Sequence, residues 1–265
     1  MKEQILAQLS PDYPWADRFH FVMETDSTNT RLKMMAREGA PHGTVLLADH
    51  QTGGRGRRGR SFHSPAGTGI YMSILLRPEC PPTQLMHLTC ASAAAMCDAV
   101  EKAAGIRPGI KWTNDLVIGK RKIAGILTEL GLAPDGMTDW AIIGIGVNCC
   151  QQPEDFPEEI RDVAGSLASV TGREIQRCRV AAAMMEALHD LDRRLLTEKA
   201  QILSQYRKDC ITLGQPVSLV RGEEVRHAEA LDIDEEGALI VRLEDGRVET
   251  VNSGEVSVRG MYGYI

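Results

Sequence analysis

The chain has 265 residues, of which 43% are hydrophobic and 25% are charged, and its formal net charge is −6 at pH 7. These values are ordinary for a globular protein and allow one sizeable domain with a small second one. The negative charge argues against a dedicated nucleic-acid-binding protein, which is usually basic overall. The sequence has no stretch of about 18 apolar residues, and residues 1–10 lack the apolar core of a signal peptide. A soluble, cytoplasmic protein without a membrane partner is therefore expected.

The seven cysteines and seven histidines show no pattern of a disulfide framework or a metal site. No CxxC pair occurs, and Cys149 and Cys150 are adjacent, which is poor geometry for an ordinary structural disulfide. The cysteines are therefore expected to be reduced and mostly part of the core. Because the histidines lack an HExxH or paired spacing, no residue is assigned to a metal.

The first part of the chain is a mixture of helical and strand patterns. After a lead-in over residues 1–20, the polar residues 26–29 offer helix N-caps, and helical spacing continues to Gly39. Further helices are predicted over residues 84–104, 177–198 and 200–209. Strands are predicted over residues 45–48, 69–77, 122–130 and 140–147 and from residue 110, with a Pro-Asp-Gly turn at 134–136. Together they predict a mixed sheet with helices, hence an α/β or α+β domain.

From Gly214 the pattern changes to short strands separated by glycine turns. Five strands are predicted, over residues 216–220, 228–234, 238–243, 247–251 and 255–258. The turns between them contain Gly222, Gly237, Gly246 and Gly254. Five short strands in about 50 residues favour a small SH3-like β-barrel. The chain is therefore divided into predicted domains at residues 1–213 and 214–265.

Residues 51–60, Gln-Thr-Gly-Gly-Arg-Gly-Arg-Arg-Gly-Arg, are the most informative segment. A flexible linker and an RGG-type nucleic-acid segment have similar compositions, but this segment lies between two predicted strands of an acidic protein. The physical interpretation is an anion loop, in which glycines let backbone N–H groups converge on phosphate oxygens and arginines neutralise those oxygens. The Gly-Lys-Ser/Thr ending of a Walker P-loop is absent. The residues favour nucleotide binding over a structural role.

A second, independent signal lies in the strand that contains residues 142–148. With a period of two, Gly144, Gly146 and Asn148 share one face, and the apolar residues between them share the other. Two glycines on one face weaken a sheet unless something approaches closely there. A flat ligand with Asn148 as a polar contact meets that need, and a tightly crossing helix is the alternative.

Six ordered motifs resemble those of the biotin protein ligases. They are Thr-Asp-Ser-Thr-Asn at 25–29, the loop at 51–60, Gly-Ile-Tyr-Met-Ser at 69–73, Lys-Trp-Thr-Asn-Asp at 111–115, Arg-Lys-Ile-Ala-Gly-Ile-Leu-Thr-Glu at 121–129 and Gly-Ile-Gly-Val-Asn at 144–148. The resemblance implies a catalytic domain of the biotin/lipoate ligase type that activates biotin with ATP and Mg²⁺. It also implies transfer of biotin to a lysine of a biotin carboxyl carrier protein domain.

The resemblance implies a biotin-binding half of the site. Ser27 and Thr28 are expected to hydrogen-bond the ureido ring, with helix capping as the competing role of either hydroxyl. Gly125 is expected to permit close approach of the ligand, and Tyr71 to flank it, although a strand tyrosine is often a core residue. The further residues expected around biotin are Asn29, Gln51, Gly54, Arg55, Lys122 and Gly144.

The resemblance also implies a nucleotide-binding and catalytic half. The residues expected at the nucleotide are Arg57, Arg58, Arg60, Phe62, Asn114 and Asn148. The predicted catalytic set is Lys122, Arg57 and Asp115. Lys122 is expected between the biotin carboxylate and the α-phosphate, because a cation there lowers the barrier to joining two anions. Asp115 keeps three open roles, which are orienting an arginine, orienting the acceptor lysine and holding magnesium.

The sequence departs from the family pattern at several places. Thr113 stands where the family usually has proline, and Phe62 stands where some members have tryptophan, so weaker adenine stacking is expected. Because only the lead-in over residues 1–20 precedes the core, the expected type is the ligase without an N-terminal helix-turn-helix domain, with no DNA partner. A homodimer is compatible with this resemblance. The alternatives are a lipoate or octanoate ligase and, in a different class, a nucleic-acid-binding or regulatory module that uses the arginine loop.

Overall fold

The computed structural model describes residues 1–252 and 257–260. Its larger sheet consists of β1 (Phe19–Thr25), β2 (Thr44–Gln51), β3 (Gly69–Leu76), β4 (Gly109–Lys111), β5 (Asp115–Ile118), β6 (Arg121–Leu132) and β7 (Thr138–Asn148). In space the order is β1-β2-β3-β7-β6-β5-β4, with β1 and β2 parallel and the other neighbours antiparallel. The predicted mixed sheet is confirmed.

The helices of the described residues are α1 (Lys2–Leu6), α2 (Thr28–Arg37), α3 (Leu88–Ala104), α4 (Glu158–Arg161), α5 (Leu167–Thr171), α6 (Arg177–Arg194) and α7 (Lys199–Asp209). The alanine-rich α3 packs closely against α6 and α7. It ends at Gly105, whose φ of 70° is the left-handed conformation that glycine adopts after a helix. Across residues 1–252 and 257–260, no helix combines the length and apolarity needed to cross a membrane.

The two faces of the larger sheet have different coverings. On one face, residues such as Ile70, Met72 and Ile145 belong to a large core that also includes the buried sides of α3 and α6. On the other face, Leu32 of α2 packs with Leu75 and neighbouring apolar residues in a smaller cluster. The alternation along β3 and β7 separates the two cores, because successive side chains of a strand point to opposite faces. The smaller core leaves room on the α2 face for a cavity.

A second sheet follows in the chain. Its antiparallel strands are β8 (Pro216–Arg221), β9 (Glu224–Ile233), β10 (Leu239–Leu243), β11 (Val248–Val251) and β12 (Ser257–Gly260), in the order β11-β10-β9-β8-β12. This confirms the predicted small all-β unit of the SH3-like type. The predicted turn at Gly254 and the start of the predicted strand 255–258 lie outside the described residues. The division between residues 213 and 214 remains a prediction.

Several short elements were not predicted. The strands β1 and β5 lack a clear strand pattern in the sequence. β1 is an edge strand with irregular burial, and β5 has only four residues. The short helices α1, α4 and α5 were also missed. The helix predicted from residue 84 begins at Leu88, since Pro82–Leu85 forms a separate 3-10 turn, and the helix predicted to residue 198 ends at Arg194.

Candidate active site

A cavity of about 790 Å³ lies on the α2 face of the larger sheet. Most of the predicted site residues line it, namely Ser27, Thr28, Asn29, Gln51, Arg55, Arg57, Arg58, Arg60, Phe62, Asn114, Asp115, Lys122, Gly125 and Gly144. They come from α2, the loop after β2, and the strands β2, β5, β6 and β7, so the folded chain brings together segments that are far apart in sequence. The volume is in the range of small-molecule and cofactor sites.

Neutral hydroxyl and amide groups form the end of the cavity at the start of α2. The N-cap residue Ser27 has an extended backbone, and its side chain makes no capping hydrogen bond. Gln51 Oε1 accepts hydrogen bonds from Thr28 N at 2.8 Å and from Thr28 Oγ1 at 3.1 Å. The capping role considered for these hydroxyls is therefore wrong: Thr28 is bonded to Gln51 and Ser27 does not cap.

The glycine- and arginine-rich loop is folded back on itself beside this end. Gly56 N donates to Arg60 O at 2.7 Å, and Phe62 N donates to Gly54 O at 2.9 Å. A Cβ atom at Gly54 would collide with Phe62 O and would lie 2.6 Å from Ser64 Oγ. Gly54 is thus required by the packing of the loop and lies outside the cavity wall, and its contact with biotin stays a prediction.

Arg57 connects the loop to the turn between β4 and β5. Its Nη1 donates to Asn114 Oδ1 at 2.8 Å. Burial lowers the pKa of the Arg57 guanidinium, and the negative charge of Asp115 opposes that shift. A partly buried cation beside an open cavity is a favourable partner for an anionic ligand, because the low-polarity surroundings strengthen their attraction.

Lys122 and Asp115 form an ion pair in the cavity wall. Their Nζ and Oδ1 atoms are 2.7 Å apart, and both side chains are mostly buried. Asp115 pairs in register with Gly125 on β6, and a Cβ atom at Gly125 would lie 3.2 Å from Lys122 Nζ. Gly125 therefore makes room for the lysine side chain. The three roles considered for Asp115 did not include this pairing with Lys122.

The segment after β7 holds the backbone of Lys122 from its other side. Lys122 N donates to Val163 O at 2.7 Å, and Gly165 N donates to Lys122 O at 3.0 Å. Asn148 Nδ2 in turn donates to Gly165 O at 3.0 Å. Asn148 is buried and lies outside the cavity wall. Asn148 thus supports the segment that fixes Lys122, and its contact with the nucleotide stays a prediction.

Tyr71 also lies outside the cavity wall. Its side chain is fully buried, its hydroxyl donates to Pro65 O at 2.9 Å, and burial raises its pKa. The ring contacts Phe62 edge-on, with 6.4 Å between ring centroids. Tyr71 thus supports the aromatic ring that lines the cavity, and its flanking of the ligand stays a prediction.

The two glycines of β7 face side chains that line the cavity. A Cβ atom at Gly144 would collide with the amide of Asn29, and one at Gly146 would collide with the ring of Phe62. The predicted face is correct, because the large core on the opposite side contains Ile143, Ile145 and Val147. The close approach at Gly144 is made by Asn29 in the first turn of α2, in line with the helix alternative, and the one at Gly146 is made by Phe62.

Other residues of the site were not selected from the sequence. Lys111 and Trp112 are buried and line the cavity. Glu159 and Val163, after β7, also line it. Lys111 and Trp112 belong to the 111–115 motif, and that position was the sequence signal that could have identified them as site residues. The segment after β7 offered no such signal, because it follows the last motif. The peptide bond between Trp112 and Thr113 is cis.

All seven cysteines are free thiols, and five of them are buried. Burial raises the pKa of Cys90 to about 11. Among the residues that the structure describes, no group of three or more His, Cys, Asp or Glu residues could hold a metal ion.

Sequence and structure comparisons point to one family. Residues 22–148 match the Biotin/lipoate A/B protein ligase family, and residues 212–259 match the Biotin protein ligase C terminal domain. The Bifunctional ligase/repressor BirA of Bacillus subtilis is 35% identical over 241 residues, which are 91% of this chain and 73% of that protein. The Biotin--[acetyl-CoA-carboxylase] ligase of Mycobacterium tuberculosis is 33% identical over 245 residues, covering 89% and 86% of the two chains.

The chain belongs to the biotin protein ligase family. The biotin protein ligase from Aquifex aeolicus in complex with biotin and ATP is similar in structure as well, with a TM-score of 0.77 and 30% identity over 91% of this chain and 98% of that chain. In this ligase the first family match ends with β7, and the second begins just before β8. The family thus accounts for both sheets.

Proposed function

We propose that this ligase activates biotin with ATP and then transfers biotin to a lysine of a biotin carboxyl carrier protein domain. One observation carries the proposal. A single cavity is lined both by neutral hydroxyl and amide groups, at 27–29 and 51, and by a cluster of arginines and lysines, at 55–60, 111 and 122. Such a cavity suits an uncharged ureido ring at one end and a carboxylate joined to phosphates at the other.

In the first step, a carboxylate oxygen of biotin attacks the α-phosphorus of ATP, which enters as its Mg²⁺ complex. A P–O bond forms, and the bond to the departing pyrophosphate breaks. Because both reactants are anions, cations fixed between them lower the barrier. We assign this role to Lys122, held in place by Asp115, and to Arg57, held in place by Asn114.

In the second step, the amine of the acceptor lysine attacks the carbonyl carbon of the biotinyl adenylate. A C–N bond forms, the C–O bond to AMP breaks, and the amine loses a proton. No protein side chain has to become a covalent nucleophile, and the buried thiols with raised pKa values are poorly suited to that role.

The remaining assignments follow from the cavity wall. We assign biotin to Ser27, Thr28, Asn29, Gln51, Arg55, Lys122, Gly125 and Gly144, and the nucleotide to Arg57, Arg58, Arg60, Phe62 and Asn114. We further propose that the ligase acts in the cytoplasm, where ATP is available and free thiols are stable. We propose no DNA partner, because the chain is acidic overall. A homodimer remains a prediction.

The test is ATP–pyrophosphate exchange with biotin, lipoate, octanoate or no acid. Exchange that depends on biotin, followed by labelling of a carrier domain but not of the same domain with its target lysine changed to arginine, is expected. Exchange driven by lipoate or octanoate in place of biotin would establish the alternative ligase. A lack of exchange with any acid, together with DNA binding at physiological salt, would favour the regulatory module.

A further inference from the structure

The carboxylate of Glu129 lies next to the biotin-binding end of the cavity without lining it. Glu129 is on β6, and its side chain is 19% exposed. Three donors from two separate segments converge on it. Asn29 Nδ2 donates to Oε2 at 2.9 Å, Lys33 Nζ forms an ion pair with Oε1, and Arg55 places its two terminal nitrogens 3.3 and 3.4 Å from the carboxylate oxygens.

Two of these three donors line the cavity, and they belong to different parts of the proposed biotin site. Asn29 is in the first turn of α2, and Arg55 is in the arginine loop. Lys33 is one helical turn beyond Asn29 and is absent from the cavity wall. Glu129 is thus the common acceptor that connects the start of α2 with the loop.

The hydrogen bonds continue from Asn29 to Ser73, Thr28 and Gln51. Ser73 Oγ lies 2.6 Å from Asn29 Oδ1 and 2.7 Å from Thr28 Oγ1. Thr28 donates to Gln51, and Gln51 Nε2 donates to Ser64 Oγ at 3.0 Å. Asn29 Nδ2 also donates to Leu127 O at 3.2 Å, so Glu129 and this carbonyl together set which atom of the Asn29 amide points toward Ser73.

The charge of Glu129 is maintained by these contacts. Burial by itself would raise the pKa of this carboxyl, but the hydrogen bonds from Lys33 and Asn29, with the charges of Lys33 and Arg55, outweigh it and lower the pKa. A guanidinium has five N–H donors, so Arg55 can contact Glu129 with its terminal nitrogens and still offer donors to a ligand carboxylate.

We infer that Glu129 is a positioning residue for the acid substrate: it holds Asn29 and Arg55 in their binding orientation before biotin enters. The inference rests on the proposed function. It assigns to Glu129 a larger contribution to the binding of the acid than to the binding of ATP, because Asn29 and Arg55 line the biotin-binding part of the cavity. It also makes Glu129 the tether that keeps the loop near β6 in the absence of ligand.

The decisive variant is Glu129→Gln, which keeps the size of the side chain and an oxygen that can accept from Asn29, but removes the charge that holds Arg55. The KM for biotin in ATP–pyrophosphate exchange should rise about tenfold, the scale of losing one hydrogen bond between charged groups. The KM for ATP and kcat should each change by less than about twofold. Without ligand, hydrogen exchange over residues 53–60 should become faster.

Two controls separate positioning from a general structural role. Lys33→Met removes the third partner of Glu129 but leaves Asn29 and Arg55, so it should leave the KM for biotin nearly unchanged. Asp139→Asn removes a carboxylate of β7 that pairs with Arg77 at 2.8 Å, beyond the cavity, and should also leave it unchanged. Thermal unfolding of all three variants shows whether any of them has lost the fold.

Several outcomes would overturn the inference. They are an unchanged KM for biotin in a folded Glu129→Gln protein, an equal rise in the KM for ATP, and an equal effect of Lys33→Met. Failure of the proposed function is seen separately, as a wild-type protein without biotin-dependent exchange. In that event the hydrogen-exchange comparison still decides whether Glu129 tethers the loop, because it requires no activity.

Discussion

Lys122 illustrates how single residues of this site are held by several neighbours. Its ammonium pairs with Asp115, and its backbone is bonded on both sides of the peptide to the 163–165 segment. Replacing the side chain leaves those backbone bonds intact. The residue can therefore be tested for a role in chemistry with little disturbance of the fold.

Lys122→Ala should reduce the rate of adenylate formation by more than about 10²-fold, the scale of removing one preorganised electrostatic group. The measurement is the yield of biotinyl adenylate by mass spectrometry, with thermal unfolding recorded on the same sample. Lys122→Arg is the matched control, since it keeps the charge and should recover part of the rate. Near-normal yield from a folded Lys122→Ala protein would remove Lys122 from the mechanism.

Arg57→Gly should give a ligase that releases its intermediate. The mixed anhydride reacts with any amine, so specificity depends on its retention in the cavity, and Arg57 connects the loop to Asn114 in the cavity wall. Activation should continue in part, because Lys122 and the other arginines remain. The measurement is labelling of a bystander protein such as albumin with biotin and ATP, detected with streptavidin, and it should exceed that of the wild type.

Arg57→Gln separates lost charge from added glycine flexibility. If charge retains the intermediate, this variant should label the bystander nearly as strongly as Arg57→Gly. A variant that makes normal amounts of adenylate and releases it no faster than the wild type would contradict the assignment of Arg57.

At the scale of elements, the loop over residues 51–60 is expected to gain order when ligand binds. Its glycines carry a large entropic cost of ordering, and its four arginines repel one another until an anion arrives. Hydrogen exchange over residues 53–60 should slow most with the phosphate-containing ligand and less with biotin alone. Equal exchange with and without ligand would rule out this ordering.

The turn between β9 and β10 is the element that connects the second sheet to the site. Trp112 Nε1, in the cavity wall, donates to Gly237 O at 3.0 Å. Gly237 has a φ of 83°, and a Cβ atom there would lie 2.8 Å from Cys90 Sγ. This small residue is therefore required both by backbone conformation and by contact with α3.

Gly237→Ala should lower the free energy of unfolding by about 2–3 kcal/mol, as the sum of left-handed strain and overpacking. Gly246→Ala is the matched control, because Gly246 has a φ of 86° but no atom within 4 Å of the added Cβ. Gly246→Ala should lower the free energy of unfolding only by the cost of the left-handed conformation, about 1 kcal/mol. Urea unfolding measures both, and equal losses would show that contact with Cys90 contributes nothing.

At the scale of the whole molecule, buried neutral thiols and phenols link stability to alkaline pH. Burial raises the pKa values of Cys97 and Cys149 and those of Tyr13 and Tyr71 above their ordinary ones. Such groups lose their proton more easily in the unfolded chain. Their contribution to stability is therefore complete below the unfolded pKa, near 8.5 for thiols, and is lost as pH rises toward the folded pKa.

The free energy of unfolding should thus fall above about pH 9, where each buried thiol adds a slope of up to about 1.4 kcal/mol per pH unit, and the tyrosines add theirs above about pH 10. Urea unfolding between pH 8 and roughly 10.5 measures this dependence. Cys97→Ala removes one buried thiol outside the cavity wall. It should reduce the slope of the free energy of unfolding against pH by the contribution of one thiol. A slope that is the same in this variant would contradict the linkage.

The sequence by itself determined the family motifs, the mixed sheet, the change to short strands after Gly214 and the face of β7 that carries Gly144 and Gly146. These features follow from local pattern, because strand alternation and glycine turns are encoded by neighbouring residues. The edge strand β1 and the four-residue β5 were missed for the same reason, since their patterns are short or irregular.

Only the tertiary structure decided which side chains pack against the glycines of β7 and which residues hold the site residues in place. The side chain over Gly144 is Asn29, and one acceptor that orients Asn29 is Glu129, 100 positions away in the chain. Likewise the partner of Arg57 is Asn114, 57 positions away. Periodicity reports which face of a strand is crowded, but the identity of the group that crowds it depends on which distant segments the fold brings together. The polar contacts of the proposed biotin site belong to this second kind.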